Sequence, residues 1–420
     1  MTVSSRLSGF YKLSVSERQA EIRNLLNLTE DEINRLKNGG LTPDLANRMI
    51  ENVVGIYGLP YGIAANFLIN GRDYLIPMVI EEPSVVAAAS HIAKFARETG
   101  GFAANADAPI MIGQVQVLDV PDLDAARVKI LAQKDELLQL ADKNSPIVEF
   151  GGGARDLEVR AFRNTRVGPM LVVHFYFNVL DAMGANSVNT SVETVAPTIE
   201  KLTGGRVVLR ILSNLADRRL ARATCRLRQE DIGVDIVRNI VEAQALAEVD
   251  PYRAATHNKG IMNGIDAVVV ATANDWRGAE AGAHAFAART GQYRALTKWD
   301  RDVNGDLVGA IELPMPSGVI GGTINVHPLA QISLKILGVK TAQEFAGVLA
   351  SVGLAQNLGA LRALAAEGIQ HGHMALHARQ VAIAAGATDA QIDRIAEQMV
   401  AEKNVKITRA KELLNSWVVG

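Results

Sequence analysis

Hydrophobic and polar positions change their period twice along the chain. Residues 1–108 carry the spacing of amphipathic helices: Thr29 and Glu32 stand three apart, as in a capping box where each satisfies a backbone N–H at a helix start. Farther on, PSVVAAASHIAKFARE is apolar on most faces and predicts a buried helix starting near Glu82, with Pro83 in its first turn. From 109 the pattern switches. IMIGQVQVLDV alternates as a strand does, DLDAARVKILAQKDELLQLA has a helical period, and ARDLEVRAF and GPMLVVHFYFNV read as two strands. VNTSVETVAPTIEKLTG then reads as a helix and RVVLRILSNL as a last strand. This β-α-β-β-α-β order predicts one antiparallel sheet with its helices on one face, a ferredoxin-like sandwich. After 217 helical periods return, including the long apolar AGVLASVGLAQNLGALRALAAEG, and a charged amphipathic helix is announced late by Thr388 and Gln391 at capping-box spacing. The expected class is α+β: a helical large domain from 1–108 and 218–368, an inserted compact domain at 109–217, and a small helical C-terminal flap at 369–420.

Composition narrows the function classes. The chain's 420 residues, 48% of them hydrophobic, can support the cores of two or three domains. With 43 basic and 45 acidic residues there is no broad electrostatic footprint for nucleic acid. Cys225 is the only cysteine, which excludes an internal disulfide and a cysteine-based zinc site. The N-terminal stretch lacks the apolar core of a secretion signal, and no window approaches the roughly 18 to 20 apolar residues of a membrane span. A cytoplasmic protein without a membrane partner is expected.

Candidate chemistry concentrates in residues 250–266, DPYRAATHNKGIMNGID, a polar, glycine-punctuated stretch in an apolar half of the chain. A fixed ammonium at Lys259 suits an oxyanion developing on a carbonyl oxygen, and glycine beside it lets backbone approach a ligand. Arg253 can grip a carboxylate through its planar fork, and Asn263 and Gln356 can bind polar groups of a substrate. Glu82 is a candidate general acid, which requires burial or a neighbouring carboxylate such as Asp275 to oppose the helix dipole; otherwise it is a helix-terminal charge. Asp275 could equally cap the helix after it. The segment DAMGANSVNT at 181–190 follows a strand and opens a helix, so its amides could cradle a phosphate, or it is a structural turn. His371, His373 and His377 invite a metal, but no HExxH or DxD partner accompanies them and none is expected. His91, His174, His284 and His327 read as packing or surface residues.

Together, Glu82, the 250–266 stretch, Asn274-Asp275-Trp276, DAMGAN and Gly372-His373-Met374 resemble the soluble, second class of hydroxymethylglutaryl-CoA reductases, nearly end to end. The resemblance implies reduction of 3-hydroxy-3-methylglutaryl-CoA to mevalonate and free coenzyme A by two nicotinamide hydrides, in either physiological direction. It implies Glu82, Lys259, Asp275 and His373 as catalytic residues, with His373 protonating the departing thiolate. Ser84, Arg253, Asn263 and Gln356 would bind substrate, and Asp181, Met183, Gly184, Asn186 and Asn214 a nicotinamide cofactor on a non-Rossmann domain. In NAD-using relatives an acidic residue ahead of the inserted domain's second strand holds the ribose. Here the loop reads Asp142-Lys143-Asn144-Ser145, so Asp142 would favour NADH and Lys143 would admit NADPH. A homodimer with an interfacial site is implied, with Glu51-Asn52-Val53-Val54-Gly55 as its dimer motif. Lys12 stands where relatives place an arginine against the coenzyme A phosphate. After His377 the run Ala378-Arg379-Gln380 lacks the regulatory serine of membrane-anchored relatives, so phosphorylation control there is not expected. The alternative from another class is a non-redox CoA-thioester hydrolase or lyase.

Overall fold

The computed structural model describes residues 4–143, 145–366, 369–388 and 390–418, with backbone alone at 366, 369–376 and 417–418. In chain order its strands are β1 (Tyr61–Ile69), β2 (Arg72–Val79), β3 (Phe102–Ala106), β4 (Ile110–Leu118), β5 (Gly153–Phe162), β6 (Met170–Asn178), β7 (Arg206–Ser213), β8 (Leu220–Leu227), β9 (Thr297–Arg301) and β10 (Leu307–Pro314). They form a four-stranded sheet, β5-β6-β4-β7, and a six-stranded one, β2-β1-β3-β8-β10-β9.

The four-stranded sheet is the predicted sandwich. Its pairings are all antiparallel. Alternating side chains such as Val115, Val117, Phe175 and Phe177 point into a core closed by Val188, Val192 and Ile199 of the helix Ala185–Thr203. The stretch expected as one helix after β4 is two, Leu123–Ala132 and Lys134–Asp142, broken at Gln133.

The six-stranded sheet departs from the expectation of mostly helical flanks. β2 is buried on both faces from Tyr74 to Met78, and β1 is buried at neighbouring Ala64 and Ala65, so neither shows a clean period of two along its length. β3, FAANA, has little strand propensity. Between β3 and β8 the pairing Ala106↔Ala221 brings together the chain just before and just after the sandwich, so the insertion leaves and re-enters through neighbouring strands. The helix expected from Glu82 begins at Val85 and runs to Arg97.

The helix Ala342–Ala366 crosses this sheet and packs on the helices Val85–Arg97 and Pro251–Ala271. Contrary to the expectation of no such window, it is long and apolar enough by composition to span a membrane; yet 67% of that window is buried inside the protein, where it forms the core. The helices Val15–Leu26 and Glu30–Lys37 set Ile22, Leu28 and Ile33 against Leu75, Ile332 and Ile336, and the Thr29–Glu32 capping box is formed. The last three helices, Ile369–Ala384, Ala390–Ala401 and Ile407–Val418, close a separate small core around Ile395 and Met399.

Candidate active site

The polar stretch 250–266 is the larger part of one helix, Pro251–Ala271. Asp250 caps it by accepting from the amides of Tyr252 and Arg253, and Pro251 opens it. Of its two glycines, Gly264 serves close packing, while a Cβ at Gly260 would meet only Ala360 Cβ at 3.6 Å. A Cβ at Gly264 would stand 2.7 Å from Gln356 Cβ, and one at Gly353 2.7 Å from Ile265 Cδ1, so this helix and Ala342–Ala366 touch nearly backbone to backbone. A buried polar network fixes the register. Asn357 Oδ1 accepts from Trp299 Nε1 (2.8 Å) and Thr297 Oγ1 (3.0 Å), and Thr297 Oγ1 meets His257 Nε2 at 2.5 Å. Burial pushes the His257 imidazole down to about 3, so the ring is neutral, as an apolar site demands.

What this rigid helix offers outward is chemistry. Lys259 Nζ donates to Glu82 Oε2 at 2.5 Å, and Asn263 Nδ2 to Glu82 Oε1 at 3.2 Å, so both carboxylate oxygens are held from one helix face. Ser84, two residues on, has φ 74, a left-handed backbone that costs an L-residue about 1 kcal/mol and persists where surroundings impose it. Gln356 is 5% exposed and its Oε1 has no hydrogen-bond partner. Arg253 is half-buried, with no side-chain partner among the described residues; burial lowers its guanidinium, as for a cation awaiting a counter-charge. The structure thus brings Glu82, Lys259 and Asn263 into contact, with Ser84 flanking them.

The cofactor-like segment is built from backbone. Gly184 sits at φ 101, where a Cβ would lie 2.5 Å from Val179 Cγ1, and it opens the 19-residue helix Ala185–Thr203 with no side-chain cap. First-turn amides of that helix are therefore left for a ligand, and Asn186 is exposed beside them. The turn before it is fastened from three sides. Asp181 Oδ1 accepts Ala342 N at 2.8 Å and its carbonyl accepts Val319 N. Arg219, 4% exposed, donates to the carbonyls of Ala182, Met183 and Ser317. Asn274 exchanges two hydrogen bonds with Gly318, whose missing Cβ leaves room for Met183 N at 2.5 Å. Sequence reasoning passed over Arg219 and Gly318. Arg219 stands in a run of arginines that reads as surface, and its alternation with the buried positions of β8 was the available signal.

Asp275 belongs to this second region. It caps the helix Trp276–Ala287 by accepting Gly278 N at 3.1 Å and pairs with Arg277. The space a Gly278 Cβ would fill lies 2.8 Å from Asp275 Oδ2 and 3.2 Å from Asn214 Oδ1, so acid and amide stand side by side. It is not with Lys259. Twelve residues of helix, about 18 Å of rise, separate Lys259 from Ala271, and Asp275 lies beyond that end. Asp142 Oδ1 accepts Ala154 N at 2.7 Å at the head of β5, Lys143 is exposed beside it, and Asn144 lies outside the described residues. The side chains of His371 and His373 also lie outside the described residues; His377 is exposed. Among the described residues no group of three or more His, Cys, Asp or Glu is placed to hold a metal ion.

Around the dimer-like motif, Val54 is 105% and Tyr57 90% exposed, with Ile50, Ile56 and Leu59 exposed as well. A cleft of about 1430 Å³ lies between this segment, the N-terminal segment with Lys12, and the helix Val85–Arg97. Neither Glu82 nor Lys259 lines it. The ion-paired cluster is the better guide to chemistry, since cleft size alone does not mark where reactive groups converge.

The hydroxymethylglutaryl-coenzyme A reductase family model matches residues 14–378. Over 414 residues the chain is 55% identical to the 3-hydroxy-3-methylglutaryl-coenzyme A reductase of Archaeoglobus fulgidus, covering 98% of this chain and 94% of that one. A solved reductase of that name from Streptococcus pneumoniae superposes with a TM-score of 0.83 at 41% identity, covering 98% of this chain and 99% of the other. A class II reductase from the same organism, solved with NADPH in open conformations, superposes with a TM-score of 0.82 at 43% identity over 85% of this chain and 99% of its own.

Proposed function

This chain belongs to the hydroxymethylglutaryl-coenzyme A reductase family, and on that premise we propose how its residues divide the reaction. It is an oxidoreductase that interconverts 3-hydroxy-3-methylglutaryl-CoA with mevalonate and coenzyme A, using two equivalents of NAD(P)H. The cofactor, when bound, supplies hydride to the carbonyl carbon in each of two steps. Lys259 faces the carbonyl oxygen in both and stabilises the negative charge that develops on it. After the first, the mevaldyl-CoA hemithioacetal collapses and His373 protonates the leaving thiolate. In the second, Glu82 delivers the proton to the alkoxide formed from mevaldehyde, with Lys259 and Asn263 holding the carboxyl by its two oxygens. Arg253 grips the substrate's free carboxylate, and Ser84 and Gln356 bind its polar groups. The open amides of the helix Ala185–Thr203 hold the cofactor's phosphates, with Asp181, Met183, Asn186 and Asn214 beside them.

The observation carrying this reading is the Glu82–Lys259–Asn263 constellation. With purified protein, hydroxymethylglutaryl-CoA and NADH or NADPH, absorbance at 340 nm should fall by two cofactors per substrate. Lys259→Ala should lower turnover at least about 100-fold. Release of free thiol without cofactor oxidation would replace the redox reading with a thioester hydrolase or lyase.

The separation of Lys259 from Asp275 supports a homodimeric active unit. One chain places Lys259, Glu82 and Asn263 on one flank and the cofactor segment with Asp275 beyond the far end of the same helix, so a complete set forms where two chains meet. Val54 and Tyr57 of the 51–55 motif and its flank supply apolar surface for that contact. The separate cores support a division into 1–108 with 218–368, a cofactor domain at 109–217 and a flap at 369–420 whose motion would admit fresh cofactor between the two hydride steps. NADH is the proposed preference, from Asp142 at the ribose position. A cytoplasmic enzyme, with Lys12 near the coenzyme A phosphate, completes the reading.

A further inference from the structure

Behind the turn that opens the helix Ala185–Thr203 stands a buried cation. Arg219 is 4% exposed; its Nη1 donates to Ala182 O (3.3 Å) and Met183 O (3.2 Å), and its Nη2 to Ala182 O (3.3 Å) and Ser317 O (2.5 Å). These carbonyls satisfy the N–H groups but carry no net charge. Arg222 and Arg226 of β8 each pair with two carboxylates, whereas among the described residues no acid forms an ion pair with Arg219. The carboxylate that acts on it from farther off is Asp181, whose Oδ1 accepts Ala342 N at 2.8 Å. Burial lowers the guanidinium to about 10, with Asp181 opposing, and it stays positive at neutral pH. A cation taken out of water is unfavourable without a counter-charge, so the fold keeps here a charge that its own side chains leave largely unmet.

The same contacts fix which way the peptides of the turn face. Two consecutive carbonyls, of Ala182 and Met183, meet one guanidinium, and in a planar trans peptide the N–H that follows a C=O points the opposite way. The N–H groups of Met183 and Gly184 therefore turn away from Arg219. Gly184, at φ 101, then starts the helix Ala185–Thr203, whose first-turn amides are open. Successive amides turned to one side around a left-handed residue make an anion-binding concavity. Taking this segment as the cofactor site assigned above, we propose that Arg219 is a positioning residue for the cofactor's diphosphate. It holds the Ala182–Gly184 peptides with their N–H groups toward the phosphates, and it supplies, through one layer of backbone, the positive charge that the diphosphate neutralises. Both the cation and the amides belong to one chain, so the assignment holds whether or not a second chain completes the site.

The test sets Arg219→Lys, which keeps the charge with less reach, against Arg219→Gln, which keeps a donor without the charge. Dissociation constants for NADH and NADPH are read from nicotinamide fluorescence on samples whose thermal midpoints show them folded, and inorganic pyrophosphate is titrated as a competitor. Arg219→Gln should weaken both cofactors about tenfold and alike, since both carry the diphosphate, and should raise the inhibition constant of pyrophosphate by a similar factor. Arg219→Lys should stay within about threefold of the wild type. Binding by the Gln variant as tight as by the Lys variant overturns the role of the charge. Wild-type affinity in both variants overturns the positioning role as well. Should Arg219→Gln not fold, the Lys variant decides alone, and a tenfold loss there overturns the charge. A wild type that binds neither cofactor removes the cofactor reading of this segment, whereas wild-type binding that no substitution at Arg219 changes removes this inference and leaves that reading standing.

Discussion

The two flanks of the proposed site are built in opposite ways. On the Lys259 flank the working groups are side chains, Glu82, Lys259 and Asn263, projecting from elements locked by buried polar and apolar packing. On the cofactor flank they are mostly amides and missing side chains: Gly184 at a positive φ, Gly318 against Met183 N, and a turn held by the buried Arg219. A side-chain flank fails when one functional group is removed, and a backbone flank when one atom is added. This difference predicts that truncation on the first flank lowers turnover, while enlargement on the second weakens cofactor binding.

The comparison breaks most sharply by mixing. Lys259→Ala and Asp275→Asn should each lose at least about 100-fold in kcat, because each removes its group from both sites of the proposed dimer. Unfolded together and refolded, or co-expressed, they form hybrids in which one site carries both lesions and the other neither. Random pairing makes half the dimers hybrids with one intact site, so activity should recover to about a quarter of the wild type. Recovery no greater than the sum of the parents would place both residues in a single-chain site and remove the interfacial arrangement.

Gly318→Ala sharpens the other side. The new Cβ would lie 2.5 Å from Met183 N and 2.8 Å from the Ala182 carbonyl carbon, and both neighbours are backbone, so the cofactor turn must shift. The Michaelis constant for the cofactor should rise about tenfold, some 1.4 kcal/mol, with kcat at saturation within about twofold. A fall in kcat with unchanged cofactor affinity would show that this turn positions the reacting groups rather than the cofactor's phosphates.

What the residues alone disclose divides along similar lines. The central strands of the four-stranded sandwich were legible, because one face of β4 and β6 is more buried than the other, which writes a period of two into positions such as Val115, Val117, Phe175 and Phe177. β2 was not, since its stretch Tyr74–Met78 is covered on both faces and apolar without alternation, and β1 carries small residues with little strand signal at Gly62, Ala64 and Ala65. β8 does alternate, Ala221, Ala223, Cys225 and Leu227 inward against Arg222, Thr224 and Arg226, but alanine carries no strand signal. At the site, the motif positions were named from sequence because polar groups amid apolar ones are conspicuous. Gly264 was not singled out as a packing glycine, since close helix packing and close ligand approach ask the same thing of a residue. Arg219 went unremarked. Its step with the buried positions of β8 was a weak signal, and what confirms the burial is Met183, 36 residues away, folded against it.

The smallest expected effect concerns the choice of cofactor. Asp142 is engaged through one oxygen: its Oδ1 accepts Ala154 N at 2.7 Å, and the glycine at 153 makes room for it, since a Cβ there would lie 2.5 Å from that oxygen. Asn in its place keeps an oxygen for the same amide, so Asp142→Asn should leave β5 intact and remove only the charge. A partly exposed carboxylate near a ribose favours a hydroxyl over a phosphate by about 1 kcal/mol, and an exposed lysine does the reverse to a similar degree. Asp142→Asn should therefore shift the ratio of kcat/KM between NADH and NADPH about fivefold toward NADPH. Lys143→Ala should shift it about fivefold toward NADH. Equal losses with both cofactors in Asp142→Asn would mean that the residue serves only to start the strand, and the preference would then rest on the rest of the loop.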